Sequence, residues 1–156
     1  EIHVHVMSKT PSIYVNEIIP YSDVVFIHAE IDDEIHDIYR MIKEKGRKFG
    51  VVFSMSSSLN EIEPFLKLSD HVLLLAIEQP GFSGQKFELE ALEKIKLLNG
   101  LSYRHQFSLC VDGGVNEDIV KILDAENIVS GSSVLNNLNP KKQIMRLQTA
   151  SRYGSI

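Results

Sequence analysis

The chain has one cysteine, Cys110, so no internal disulfide can form, and this fits a reducing compartment. No apolar run approaches the roughly 20 residues that a membrane-spanning helix needs. The longest is Val72 to Ile77. Lys and Arg number 16 against 21 Asp and Glu, for a formal net charge of -5. There is also no basic stripe, which argues against a nucleic-acid partner. The start, Glu1-Ile2-His3-Val4-His5-Val6, alternates polar and apolar residues and lacks the positive region of a secretory signal. No G-x-G-x-x-G follows the first apolar segment, which counts against a dinucleotide-binding sheet. Linkers, internal repeats and low-complexity segments are missing as well. A cytoplasmic protein with neither membrane nor nucleic-acid partner is expected. The first residue is not Met and the chain opens directly on a strand-like pattern, so a portion N-terminal to Glu1 is expected.

What is present is an ordinary globular composition, 44% hydrophobic and 24% charged over 156 residues. That is enough for one domain with a substantial core. Short runs rich in Val, Ile, Leu and Phe predict strands at 2–6, 23–28, 49–54, 71–77, 107–111 and 127–130. Helical spacing fills most of the gaps. Ile35, Ile38, Tyr39 and Ile42 lie on one helix face, with Gly46 as a stop. Leu89, Leu92, Ile95 and Leu98 do the same before Gly100. Asn116 caps a helix that carries Ile119, Ile122 and Leu123. Pro140 opens a last helix with Ile144 and Leu147 inward. Residues 58–68 give a weaker helix that Pro64 breaks or kinks. Strand and helix thus alternate about six times, which implies a parallel sheet with helical crossovers. An open doubly wound sheet and a (β/α) barrel both fit that order, and phosphate-like turns after late strands favour the barrel.

Three glycine-bearing turns follow apolar runs: Pro80-Gly81-Phe82-Ser83-Gly84-Gln85, Asp112-Gly113-Gly114 and Gly131-Ser132. Glycine lets backbone N–H groups approach a ligand closely. Several such turns at the carboxyl ends of parallel strands make a nest for an anion, typically phosphate. Asp112 sets a carboxylate beside that nest, although Asp-Gly is also the commonest turn dipeptide. The 80–85 stretch is either a mobile loop closing over substrate or an ordinary strand-to-helix loop. Gly131 and Ser132 precede a possible short helix at 132–136. His3 and His5 alternate on the first strand and share a face. A metal could use that pair, but histidines beside an exposed N-terminal edge are more often solvated. His28-Ala29-Glu30 puts polar groups at another strand end. Cys110 reads as a small buried residue and not as a nucleophile.

Together, the motifs resemble the ribulose-phosphate 3-epimerase family over nearly the whole chain. His5-Val6-Met7 with Pro11 resembles the family's third strand, and Phe26-Ile27-His28-Ala29-Glu30 its fourth-strand H-x-E. Gly50-Val51-Val52 resembles the start of the fifth. Pro80 to Phe87 resembles P-G-F-G-G-Q-x-F after the sixth. Val111 to Val115 resembles V-D-G-G-[IV] of the seventh, and Val129 to Ser132 the V-x-G-S of the eighth.

The resemblance implies a ribulose-phosphate-binding (β/α)8 TIM barrel. Residues 1–156 would form a single domain covering the third to eighth of its units. It implies interconversion of D-ribulose 5-phosphate and D-xylulose 5-phosphate, by proton transfer at C3 through a 2,3-enediolate. Two carboxylates on opposite faces would carry the protons, with a divalent metal, zinc foremost and iron, manganese or cobalt as alternatives. His5 and Asp112 would be metal ligands, with Asp112 also an acid–base group and Met7 capping the enediolate. Gly81, Phe82, Ser83, Gly84, Gly113, Gly114, Gly131 and Ser132 would line the substrate's phosphate end, and a homodimer or hexamer is implied. The second-strand H-x-D with the other carboxylate has no match in this chain, and neither has the first-strand serine. His3 stands in place of Asp and Leu75 in place of Met. Gln79 is an extra residue, Ser83 replaces Gly, and Asp124 to Asn127 is a shortened approach to the eighth strand. These departures keep open a hexulose-phosphate epimerase, such as one for allulose 6-phosphate, and a sugar-phosphate binder without catalysis. With one carboxylate absent, this segment alone is expected to be inactive. With unpaired sheet edges it is also expected to be poorly soluble.

Overall fold

The computed structural model of the chain describes residues 1–154. Six strands form one parallel sheet in chain order: β1 (His3–Val6), β2 (Val24–His28), β3 (Lys48–Phe53), β4 (His71–Leu75), β5 (Ser108–Asp112) and β6 (Asn127–Val129). Among the described residues seven α-helices accompany them: α1 (Ser12–Ile18), α2 (Ile35–Glu44), α3 (Leu59–Leu66), α4 (Ala91–Asn99), α5 (Glu117–Ile122), α6 (Ser132–Leu135) and α7 (Pro140–Ala150). Each strand pairs only with its neighbours in sequence, and β1 and β6 are the two edges among the described residues. Sequential order without reversal is the winding of a barrel, and six units leave it as a half-barrel.

Strand alternation sorts the side chains onto two faces. Val25, Ile27, Phe49, Val51, Val72, Leu74, Leu109 and Val111 point outward into the core shared with the helices. Val24, Phe26, Val52, Leu73, Leu75 and Cys110 form a second cluster on the concave face, the barrel lumen. Gly50 makes room there: a Cβ on it would lie 2.4 Å from Cδ1 of Phe26, so the Phe26 ring lies across the strand where a side chain would stand.

Local signals explain most helix starts. Ser58 and Glu61 form a capping box on α3, the Glu61 carboxylate accepting from the Ser58 N–H at 2.8 Å. Asn116 Oδ1 accepts from the N–H groups of Asp118 and Ile119 at 3.0 and 3.1 Å, which starts α5. Asn139 caps α7, with Pro140 at its first position.

The sequence reading is corrected at several points. α1 was not foreseen. Its start is Pro11, which makes no side-chain cap, and only Val15 of its residues is buried, so neither capping nor periodicity announced it. Pro64 stays within α3, which runs on to Leu66. Leu89 lies before α4 and is exposed, and Ala91 takes its place in the core. Ile122 and Ile144 face outward, whereas Val120, Leu147 and Gln143 are buried. His3 and His5 do share a face, but it is the lumen. The His3 ring packs against Phe26 and His71, with centroids 5.8 and 5.3 Å away.

Candidate active site

The carboxyl ends of the parallel strands gather the chemistry. Asp112 closes β5 on the luminal face, in register with Leu75 of β4 and Val129 of β6. The chain then turns through Gly113 and Gly114, at φ 112° and 64°, a region closed to most side chains. Packing demands glycine there too. A Cβ on Gly113 would meet Ile77 Cγ2 at 2.6 Å, and one on Gly114 would meet the Phe87 nitrogen at 2.2 Å. Gly131 is different. Its φ is -87° and a Cβ would meet nothing within 4 Å, so neither backbone nor packing requires glycine at this point.

Every residue that the family resemblance assigned to the site lines one cavity of about 260 Å³, whereas His3, His28, Glu30 and Cys110 lie outside its lining. His5 and Met7 come from β1 and the residue just after it, and Gly81, Phe82, Ser83 and Gly84 from the loop after β4. Asp112, Gly113 and Gly114 come from β5 and its turn, and Gly131 and Ser132 from the start of α6. Leu75, Ile77, Gln85 and Val129 also line it without having been chosen. Strand register could have flagged Leu75 and Val129, because they sit level with Asp112. Glu30 and Glu78 do not reach the cavity, and Asp112 is its only carboxylate among the described residues.

Electrostatics follow burial. Desolvation raises the Asp112 carboxyl above its usual pKa, opposed in part by a hydrogen bond from the Gly113 N–H. His5 is pushed down to about 4, first by burial and then by His28. Its Nε2 lies 2.8 Å from Nε2 of His28, and the rings stack with centroids 4.8 Å apart. Burial also lowers His28, against the pull of Glu30, whose Oε2 is 3.6 Å from His28 Nδ1. Glu30 in turn accepts from Ser57 Oγ. Sequence reasoning missed His28 as a partner of His5. Its position one strand over, at the same end, was the available signal. Cys110 is buried and its thiol is pushed up to about 12, which leaves it inert as expected.

For a metal the residues fit only in part. Structural and catalytic zinc sites take three or four protein ligands. His5 and Asp112 share the cavity, but no group of three His, Cys, Asp or Glu side chains is placed to hold an ion among the described residues.

A parallel, sequentially wound (β/α) sheet with glycine turns and one half-buried acid at its carboxyl rim defines the TIM-barrel class. Solved structures agree on the fold. 3-Hexulose-6-phosphate synthase from Salmonella typhimurium superposes with a TM-score of 0.70 at 16% identity, covering 94% of this chain and 69% of that one. Orotidine 5'-monophosphate decarboxylase from Sulfolobus solfataricus gives 0.63 at 14% identity, covering 97% and 72%. The chain belongs to the ribulose-phosphate 3 epimerase family, whose pattern it matches over residues 1–135. Ribulose-phosphate 3-epimerase of Aquifex aeolicus is 32% identical over 154 residues, covering 95% of this chain and 69% of the relative. That of Bacillus subtilis is also 32% identical, covering 94% and 70%.

Proposed function

We propose that this chain contributes the phosphate grip and one acid–base carboxylate of a ribulose-phosphate 3-epimerase, an isomerase acting on a small phosphorylated ketose. In this reading residues 1–156 are the third to eighth units of a single barrel domain. The single observation that carries it is the convergence of Asp112 with three glycine turns on one cavity. The ketone at C2 acidifies the proton on C3. The Asp112 carboxylate, made more basic by burial, takes or returns that proton on one face. Gly81 to Gly84, Gly113, Gly114, Gly131 and Ser132 hold the phosphate, and Met7 lies against the reacting carbons. Inversion needs a second proton carrier on the opposite face, and the cavity holds no second carboxylate among the described residues. A bound divalent ion, zinc foremost, would stabilise the enediolate charge. His5 and Asp112 are its candidate ligands, but the donor set here is incomplete and no step is built on it. The single reduced cysteine and the acidic balance fit a cytoplasmic enzyme, and a homodimer or hexamer remains part of the proposal.

The test is incubation of the protein that carries this chain with D-ribulose 5-phosphate in deuterium oxide, with divalent metal added. Deuterium at C3 and formation of D-xylulose 5-phosphate are expected. Binding of the sugar phosphate without C3 exchange would replace the epimerase with a non-catalytic binder, the reading favoured by the lone carboxylate. Faster turnover of allulose 6-phosphate would move the substrate to a hexulose phosphate.

A further inference from the structure

The loop between β4 and α4 is fixed firmly at its base. Phe87 is buried, with its nitrogen where a Gly114 Cβ would be, and the Glu88 N–H donates to the Ala76 carbonyl at 2.9 Å. Above that base, the backbone of residues 78–84 makes one tight turn at Pro80–Gly81 and no other backbone–backbone hydrogen bond among the described residues. Gly81 and Gly84 take φ of 95° and 79°, conformations that glycine reaches without steric cost. A stretch like this needs some other contact to keep one shape.

Gln85 makes that contact. Its Oε1 accepts from the Gln79 N–H at 3.0 Å, and its Nε2 donates to the Gln79 carbonyl at 2.6 Å and to the Phe82 carbonyl at 2.7 Å. The side-chain amide pairs with Gln79 in both directions, as a neighbouring strand would, and ties down Phe82 across the loop. These three are the only side-chain hydrogen bonds to residues 79–84 among the described residues. The clamp leaves the N–H groups of Gly81, Ser83 and Gly84 without partners among the described residues, on a loop that lines the Asp112 cavity. Gly81 lies close to Met7, a Cβ on it falling 3.9 Å from Met7 Cε.

We infer that Gln85 is the positioning residue of the anion loop: it holds residues 79–84 in the shape that presents their free N–H groups to a phosphate. The inference rests on the phosphate reading of the cavity given above. An ordered donor set binds an anion better than a loose one because less ordering remains to be done on binding.

The experiment compares wild type with Gln85→Ala and Gln85→Met, the second keeping side-chain length while removing every hydrogen bond. Two quantities are measured on the full protein: the rate of chymotryptic cleavage after exposed Phe82, and the affinity for inorganic phosphate by calorimetry. With thermal unfolding little changed, both variants should cleave faster at Phe82. They should also bind phosphate roughly 10-fold more weakly, the scale of one or two lost hydrogen bonds. For the ketose phosphate, KM should rise while kcat holds. Cleavage rates equal to wild type overturn the clamp whether or not phosphate binds. Faster cleavage with undiminished phosphate affinity overturns the positioning role. If wild type binds no phosphate while cleavage still responds to Gln85, the phosphate reading falls and the clamp stands.

Discussion

Nε2 of His5 sits 2.8 Å from Nε2 of His28, across the β1–β2 boundary at the carboxyl rim. Both imidazoles are held below their ordinary pKa by burial, so near neutral pH one ring donates and the other accepts. The bond fixes the angle of His5 at the cavity, and Glu30 steadies His28 from behind. Replacing His28 with Phe keeps the stacking but removes the hydrogen bond. Epimerase activity of the protein carrying this chain should fall about 10- to 100-fold, as with other residues that orient a functional histidine. Circular dichroism should be unaltered.

Asp112→Asn keeps the shape of the turn and removes the base. Deuterium incorporation at C3 should drop by at least about 10²-fold, the usual contribution of a positioned acid–base group. Affinity for inorganic phosphate, which the proposed function assigns to the glycine turns, should change little. Loss of phosphate binding in parallel with exchange would mean that Asp112 shapes the nest and does not move the proton.

Gly114→Ala tests the closest approach in the site. The added Cβ would enter the Phe87 backbone at 2.2 Å and would hold alanine at φ 64°. Strain and overlap together should cost more than about 2 kcal/mol in denaturant unfolding. Gly131→Ala has open space and an ordinary φ. Its effect on stability should be within about 0.5 kcal/mol, and any loss should appear in phosphate binding.

His71 sets a pH dependence. It is buried on the lumen face, and its pKa is lowered first by desolvation, then by His3 and Lys48, against Asp70 and Glu1. A depressed folded-state pKa means that the unfolded chain binds the proton more readily. The stability it supports is present above the unfolded value of about 6.5 and is lost as pH falls towards the lower folded value. Unfolding free energy measured from pH 7 to pH 5 should decline, and His71→Leu should flatten that slope.

Cys110 gives a control. With its thiol pushed up to about 12 inside the lumen cluster, it should not react with a thiol reagent at pH 8 until the protein unfolds. Rapid labelling of native protein would show that the lumen opens.

The architecture was largely legible in the chain because buried parallel strands leave near-continuous apolar runs, and Val72 to Ile77 is one. The caps at Ser58, Asn116 and Asn139 are local chemistry, readable or nearly so from neighbours three residues away. α1 escaped because its one buried residue, Val15, gives no periodicity to detect. Leu89 was misplaced inward because it extends an apolar spacing past the start of α4, and Ile144 because the polar Gln143 takes the buried position beside Leu147 in α7.

By itself, the sequence determined the alternating βα order, the glycine turns and the family, since these depend on residue type and spacing along the chain. Tertiary structure alone decided that the three turns, His5, Met7 and Asp112 share one cavity, because strand register brings together residues more than a hundred positions apart. It also decided that His5 leans on His28 and that Gln85 ties its own loop. Hydrogen bonds of that kind depend on where a side chain points once the backbone has turned, and spacing carries no record of that direction.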